Sequence, residues 1–129
     1  MSLFTVIIVD DEMLFCNSLV AALSDAGYVA RGFHTPETAL NYLKRHTCDL
    51  LITDFRMPEM DGLKLIARAR EIRSDMRAFL ISAHLTQNIH DRARLLNVDM
   101  LLEKPIELSE LIADVAGLQP SLLTEAHDT

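Results

Sequence analysis

Residues 5–12 read TVIIVDDE, a run of apolar, mostly β-branched side chains that ends in three acids. The run has no polar face, which is typical of a central parallel strand that is buried on both sides. Similar short runs follow along the chain, and longer segments of helical period separate them, so the sequence predicts an α/β protein. The other predicted strands lie at about residues 29–33, 50–53, 78–82 and 100–102.

The segments between the strands carry apolar residues three and four positions apart, as amphipathic helices do. The first helix is expected to present a stripe of Phe15, Leu19, Leu23 and Ala26 and to end at Gly27. A Thr-Pro pair at residues 35–36 opens a second helix that extends to about residue 45. Three more helices are expected at about residues 63–72, 87–96 and 108–115. Five strand–helix units predict a flavodoxin-like (βα)5 domain with a parallel sheet in the order 2-1-3-4-5 and helices on both faces.

The length of 129 residues fits one domain, which we predict at residues 1–117, followed by a C-terminal tail or the start of a linker at 118–129. Twelve basic against nineteen acidic side chains give a net charge of −7, the wrong sign for a broad nucleic-acid interface. Cys16 and Cys48 lack metal-ligand spacing, and neither a signal peptide nor a membrane span is recognisable. We therefore expect a cytoplasmic protein that binds neither nucleic acid nor membranes through this segment.

Polar residues follow four of the predicted strands, at the ends where open parallel sheets bind their ligands. They are Asp10 and Asp11, then Asp54, then Ser82, then Lys104. Carboxylates gathered within a few ångströms repel one another, and a hard divalent cation such as Mg²⁺ would relieve that repulsion. A lysine and a hydroxyl beside carboxylate-bound Mg²⁺ would clamp a phosphoryl group, so the site favours phosphoryl transfer.

Each of these residues has an ordinary structural explanation when it is taken alone. Asp10 or Asp11 could cap the first helix, and Asp54 could form a turn at its strand end. Ser82 could be a strand-end hydroxyl, and Lys104 could be a solvated loop lysine. Turn and cap chemistry does not require these residue types in this order at four strand ends, so we interpret the set as one site.

Four segments, in chain order, carry a family resemblance: VIIVDDE, DLLITDFRMPEMDGL, FLISAH and LLEKP. They resemble the signatures of the response-regulator receiver domain of two-component signalling, over about residues 5–117. The most specific is DFRMPEMDG at residues 54–62. The resemblance implies a signalling switch that catalyses only its own phosphorylation and dephosphorylation, rather than an enzyme.

The resemblance also implies a role for each acid of the site. Asp54 would be the phosphoacceptor. The phosphoryl group would come from a phosphohistidine on a sensor histidine kinase or phosphotransfer protein. Asp11, Asp54 and the backbone carbonyl of Arg56 would bind Mg²⁺ directly, and Asp10 would hold it largely through water.

Three further residues would contact the phosphoryl group in the same scheme. The Ser82 hydroxyl and the Ala83 N–H would donate to its oxygens, and Lys104 would pair with it electrostatically, next to a cis bond to Pro105. These contacts would bias the face formed by the fourth helix, fifth strand and fifth helix, through which relatives commonly form homodimers. The sequence does not identify the output domain or partner.

Leu101 departs from the family pattern, because the position three residues before Lys104 usually holds the aromatic residue of the switch. We expect phosphorylation to be retained and the conformational response to be weakened or rerouted. Arg56 and His84 fall at two variable positions beside the water that hydrolyses an aspartyl phosphate. They are either solvated side chains or groups that tune the lifetime of the phosphorylated state.

Two competing functions would use the same residues differently. A haloacid-dehalogenase-like phosphatase also has an aspartate nucleophile and Mg²⁺, but it usually carries DxDx[TV] after its first strand and needs a cap. This sequence has Asp10, Asp11 and Glu12 at that point and no insertion long enough for a cap. A degenerate receiver would act as a docking module without phosphorylation, but such domains generally lose an acidic residue or the lysine. Turnover of a small phosphate ester would identify the first, and failure of Asp54 to accept a phosphoryl group would identify the second.

Overall fold

The computed structural model describes residues 3–118, in which five strands and five helices alternate along the chain. The strands are β1 (Thr5–Val9), β2 (Val29–Phe33), β3 (Leu50–Asp54), β4 (Arg77–Ser82) and β5 (Met100–Glu103). The helices are α1 (Met13–Asp25), α2 (Pro36–Leu43), α3 (Gly62–Ile72), α4 (Gln87–Leu95) and α5 (Leu108–Ala116).

All strand pairs are parallel, and the sheet has the order β2-β1-β3-β4-β5, which confirms the predicted topology. Val9 pairs with Thr53, and Ser82 pairs with Glu103, so the strands end nearly level with one another. We call the edge formed by residues 10, 34, 54, 82 and 104 the carboxyl edge. The opposite edge, at residues 5, 29, 49, 77 and 99, is the amino edge.

The core lies on both faces of the sheet, because the central strands are apolar on both sides. Helices α2, α3 and α4 cover one face through their inward side chains, which are Ala39, Leu43, Leu63, Leu65, Ile66, Ala69, Ile89 and Ala93. Helices α1 and α5 cover the other face with Cys16, Leu19, Leu23, Leu111 and Val115. Helices on both faces therefore confirm the predicted layers.

The ends of the first two helices differ in detail from the sequence prediction. Ala26 is exposed because it is the C-cap of α1, and Gly27 follows it in the left-handed region at φ 100°. The inward stripe of α1 also includes Cys16, which is fully buried, and Phe15 is partly buried against the same cluster. Helix α2 ends at Leu43 rather than near Arg45, because the chain there tightens into a turn whose amides bond to the carbonyl of Tyr42.

Within residues 3–118, no helix has the length and apolarity needed to cross a bilayer. The predicted tail lies outside the described residues except for Leu118, which packs against the core cluster that contains α1 and α5.

Candidate functional site

Three aspartates meet at the carboxyl edge, as the strand-end argument predicts. Asp10 and Asp11 follow β1, Asp54 ends β3, and one carboxylate oxygen from each lies within 4.8 Å of the others. Asp10 is 2% exposed and Asp54 is 7% exposed, whereas Asp11 is open to solvent. The N-cap of α1 is Glu12, whose side chain makes no capping bond, so neither Asp10 nor Asp11 caps this helix.

Lys104 reaches into this cluster from the end of β5. Its Nζ lies 3.1 Å from Oδ1 of Asp54, 3.9 Å from Oδ2 of Asp10 and 3.9 Å from Oε1 of Glu12. The ammonium also lies 4.7 Å from the centroid of the Phe15 ring, within cation–π range. The Lys104–Pro105 bond is cis, as the resemblance predicts.

The electrostatics of the site follow from burial and from this shared lysine. Burial, and then the charges of Asp54 and Asp11, raise the pKa of Asp10 from 3.8 to about 6, against a hydrogen bond from the Glu12 amide. Burial also raises the pKa of Asp54, although Lys104 opposes the shift. Burial lowers the pKa of Lys104, but its hydrogen bond and charge interaction with Asp54 outweigh burial and leave that pKa raised. One ammonium therefore compensates several crowded carboxylates incompletely.

The donor set at this edge fits a hard divalent cation. Carboxylate oxygens of Asp10, Asp11 and Asp54 converge, and oxygen ligands of this kind are those that Mg²⁺ prefers. A further positive charge would oppose the rise in the pKa of Asp10, which comes first from burial and then from the charges of Asp54 and Asp11.

The loop after Asp54 is held tightly against β4 and α3. The Phe55 amide donates to the carbonyl of Ile81 at 2.7 Å, and the Gly62 amide donates to the carbonyl of Phe55 at 2.8 Å. Any side chain at Gly62 would collide with the carbonyl of Asp54, which explains the glycine. The backbone of Arg56 opposes the rise in the pKa of Asp54, and the Arg56 side chain is exposed.

Ser82 lies at the same edge but bonds within its own loop. Its hydroxyl donates to the carbonyl of His84 at 3.0 Å and accepts from the His84 amide at 3.2 Å. The side chain is buried, whereas Ala83 and His84 are exposed. The Lys104 amide donates to the carbonyl of Ser82 at 2.9 Å, so the ends of β4 and β5 are joined beside Asp54.

Three residues at the site were not singled out in the sequence. Glu12 and Phe15 contact Lys104. Glu12 directly follows the two aspartates at the end of β1, which is a sequence signal for its place, whereas the contact of Phe15 depends on the path of the lysine side chain. His34 is half-buried, and its Nδ1 lies 3.3 Å from the carbonyl of Asp10. Its position directly after β2 puts it at the carboxyl edge, a signal that could have found it.

Comparison with known proteins agrees with this geometry. The chain is 33% identical over 115 residues to the DNA-binding transcriptional regulator NtrC of Azospirillum brasilense, matching 89% of this chain and 24% of that protein. It is 30% identical over 110 residues to the response regulator receiver protein CpdR of Brucella abortus (strain 2308), matching 85% of this chain and 92% of that protein. The chain thus spans about a quarter of the first relative and nearly all of the second.

A solved structure and a family model agree with the same assignment. A CheY-like response regulator receiver domain protein from Methanospirillum hungatei JF-1 superposes with a TM-score of 0.86 at 22% identity, over 90% of this chain and 93% of that one. The model of the response regulator receiver domain matches residues 6–116. This chain therefore belongs to the response regulator receiver domain family.

Proposed function

We propose that this chain is a phosphoacceptor in a two-component phosphorelay, and that Asp54 takes a phosphoryl group from a phosphohistidine in the presence of Mg²⁺. The observation that carries the proposal is the convergence of Asp10, Asp11 and Asp54 with Lys104, whose Nζ lies 3.1 Å from the Asp54 carboxylate. The family supplies the class of donor, a sensor histidine kinase or a phosphotransfer protein.

In the proposed step, a carboxylate oxygen of Asp54 attacks phosphorus as the bond from phosphorus to the histidine nitrogen breaks. The ring nitrogen leaves with the electron pair of that bond and takes up a proton, which gives an aspartyl phosphate and a neutral histidine. Negative charge spreads over the transferring oxygens, and Lys104 lies where it stabilises that charge. The pKa of Lys104 is raised, so the side chain stays protonated during the transfer.

The proposed metal ligands are Asp11, Asp54 and the backbone carbonyl of Arg56, with Asp10 contributing through water. When bound, Mg²⁺ neutralises charge on the carboxylates and on the transferring phosphoryl group. Asp10 and Asp54 are buried and Asp11 is exposed, so the site has a solvent side from which a donor can approach.

The proposed phosphoryl ligands on the other side are Ser82, Ala83 and Lys104. The Ser82 hydroxyl would exchange its bonds to the His84 backbone for one to a phosphoryl oxygen, and the Ala83 amide would donate to a second oxygen. That exchange would release the loop after β4 and bias the segments attached to it. In the proposal, this conformational change regulates an output domain or partner. Formation of a homodimer is one such output.

The alternative of a docking module without phosphorylation is not favoured, because every acid and the lysine are kept and lie together. The output differs among relatives: NtrC is a DNA-binding transcriptional regulator, whereas CpdR is a receiver protein of about this length. We propose a cytoplasmic location because the phosphohistidine donor is found there.

The test is the intact mass of the protein after incubation with acetyl phosphate and Mg²⁺. Wild type should gain one phosphoryl group, and Asp54→Ala should gain none, because it removes the carboxylate that the proposal assigns as the acceptor. Chelation of the metal should abolish the gain as well. As a matched control, Asp25→Ala removes an exposed aspartate at the end of α1 and should leave the gain unchanged. No gain in wild type would overturn the proposed function, and a gain kept by Asp54→Ala would overturn the assignment of Asp54.

A further inference from the structure

Helix α4 is weakly anchored to the rest of the domain. It buries two side chains, Ile89 and Ala93, against the sheet. Beyond its C-terminal end, the Arg70 guanidinium of α3 donates to the carbonyls of Leu96 and Asn97. An element with few buried apolar contacts opens at low free energy, so its remaining polar attachments decide its position.

The main polar attachment in the body of α4 is Arg92. Its Nη2 donates to both carboxylate oxygens of Asp61, at 3.2 and 3.0 Å. The same guanidinium lies over the ring of Phe55, 5.8 Å from the centroid. The two side chains of the ion pair are 34% and 24% exposed, so the pair is partly shielded from water. Burial alone would raise the pKa of Asp61, but its bonds to the Lys64 amide and Arg92 outweigh burial and lower it, so the pair is charged at neutral pH.

Arg92 therefore contacts both ends of the loop that begins at the phosphoacceptor. Phe55 directly follows Asp54, and Asp61 precedes Gly62, whose amide bonds back to the carbonyl of Phe55 at 2.8 Å. Asp61 also caps α3 by accepting from the Lys64 amide at 2.9 Å. The loop between these two contacts starts at the Phe55 amide, which donates to the carbonyl of Ile81 at 2.7 Å, one residue after Asp54.

We propose that Arg92 is a positioning residue that couples the Asp54 loop to α4, and that this contact carries the phosphorylation response in place of an aromatic switch. Leu101, at the position where the resemblance implies an aromatic residue, is half-buried and packs against the core. The phosphorylation-dependent half of this inference rests on the proposed function. Because coupling is reciprocal, a partner that binds α4 would also change the phosphorylation equilibrium of Asp54.

The test uses amide hydrogen exchange at residues 55–62 and 87–95 of the whole chain, before and after phosphorylation by acetyl phosphate. The variants are Arg92→Gln, Asp61→Asn and the double variant, because asparagine keeps the N-cap of α3 while removing the charge. Arg94→Gln is the matched control. Arg94 lies on the same helix, is 77% exposed and lies 3.8 Å from Asp91 in an open pair.

In the unphosphorylated protein, Arg92→Gln should speed exchange in both segments by about 2- to 30-fold, the range over which single side chains modulate coupling. The double variant should add little to either single change, since both remove one contact. Arg94→Gln should leave exchange at residues 55–62 unchanged. Equal exchange at residues 55–62 in Arg92→Gln and Arg94→Gln would overturn the inference.

After phosphorylation, wild type and Arg94→Gln should change exchange in α4, and Arg92→Gln should lose most of that change while still gaining the phosphoryl mass. A full α4 response in Arg92→Gln would overturn the coupling role and leave the proposed function intact. Failure of wild type to gain the mass would instead overturn the proposed function. The unphosphorylated comparison would then decide by itself whether Arg92 joins the loop to α4.

Discussion

Aspartates lie at both edges of the same sheet, but their surroundings differ. At the amino edge, Asp49 accepts from the amide of Thr5 at 2.7 Å and from its hydroxyl at 3.1 Å. Asp99 accepts from the Ala78 amide at 2.8 Å and from Nε of Arg77 at 2.9 Å. Each carboxylate there has its own hydrogen-bond donors on a neighbouring strand.

At the carboxyl edge, the acids crowd one another and share a single lysine. Asp10, Asp11 and Asp54 lie within 4.8 Å, and burial raises the pKa of the first and the last. Aspartates at the amino edge thus have enough hydrogen-bond donors for their carboxylates. Aspartates at the carboxyl edge, where we propose a metal and a phosphoryl group, have too little positive charge to balance theirs. Carboxylates that the fold holds close together without enough positive charge to balance them are typical of a binding site.

The largest effect should come from removing a satisfied carboxylate at the amino edge. We expect Asp99→Ala to lower the free energy of unfolding by about 2–3 kcal/mol, because it leaves the Ala78 amide without its acceptor and removes the ion pairs with Arg70 and Arg77. Urea unfolding followed by circular dichroism measures the change. Asp99→Asn keeps an acceptor for the Ala78 amide and should lose less. A urea midpoint for Asp99→Ala equal to that of wild type would contradict the proposal that the amino-edge carboxylates stabilise the fold.

Substitution of Asp10 at the carboxyl edge should raise, rather than lower, the free energy of unfolding of the metal-free protein. The native state holds the Asp10 proton up to about pH 6, whereas the unfolded chain releases it near 3.8. The native state therefore binds more protons in this window, and the free energy of unfolding should fall as pH rises through it. At neutral pH, Asp10→Asn should raise that free energy by about 1–2 kcal/mol, less than the full shift implies because the site is partly solvated.

Chemical unfolding of wild type and Asp10→Asn with chelator, across that pH window, measures this prediction. The variant should show a flatter pH dependence than wild type and a weaker stabilisation by added Mg²⁺. Asp49→Asn is the control at the other edge and should not be stabilised, because its carboxylate accepts two hydrogen bonds from Thr5. Parallel pH profiles for wild type and Asp10→Asn would contradict the argument.

The convergence of Asp10, Asp54 and Lys104 could be predicted from sequence for a physical reason. Apolar periodicity locates the strands, and parallel strands without long offsets end at one edge, so the residues that follow them must meet. Strand order came from the same rules. His34 directly follows β2, so the same rule places it at the carboxyl edge.

Side-chain paths and contacts between helices were not predictable in this way. Helical period places Ile89 and Ala93 toward the core, but it does not say which half-exposed residue of α4 meets the loop after Asp54. The ion pair of Arg92 with Asp61 joins residues 31 positions apart and depends on how α4 lies against α3. The direction of the Ser82 hydroxyl likewise depends on the path of its own loop.

The smallest effect, which sharpens the comparison further, is expected at Arg56 and His84. Both side chains are exposed at the carboxyl edge, so replacing either with alanine should change the free energy of unfolding by no more than about 0.5 kcal/mol.

Loss of one shielding or hydrogen-bonding group beside an aspartyl phosphate should change its hydrolysis rate by about 2- to 10-fold. The measurement is the decay of phosphoryl mass after acetyl phosphate is removed, with unfolding measured on the same samples. Decay rates equal to wild type in both variants would show that the two side chains are solvated and do not affect the lifetime of the phosphorylated state. A changed lifetime at unchanged stability would show that substitutions at this edge act on chemistry, whereas those at the amino edge act on folding.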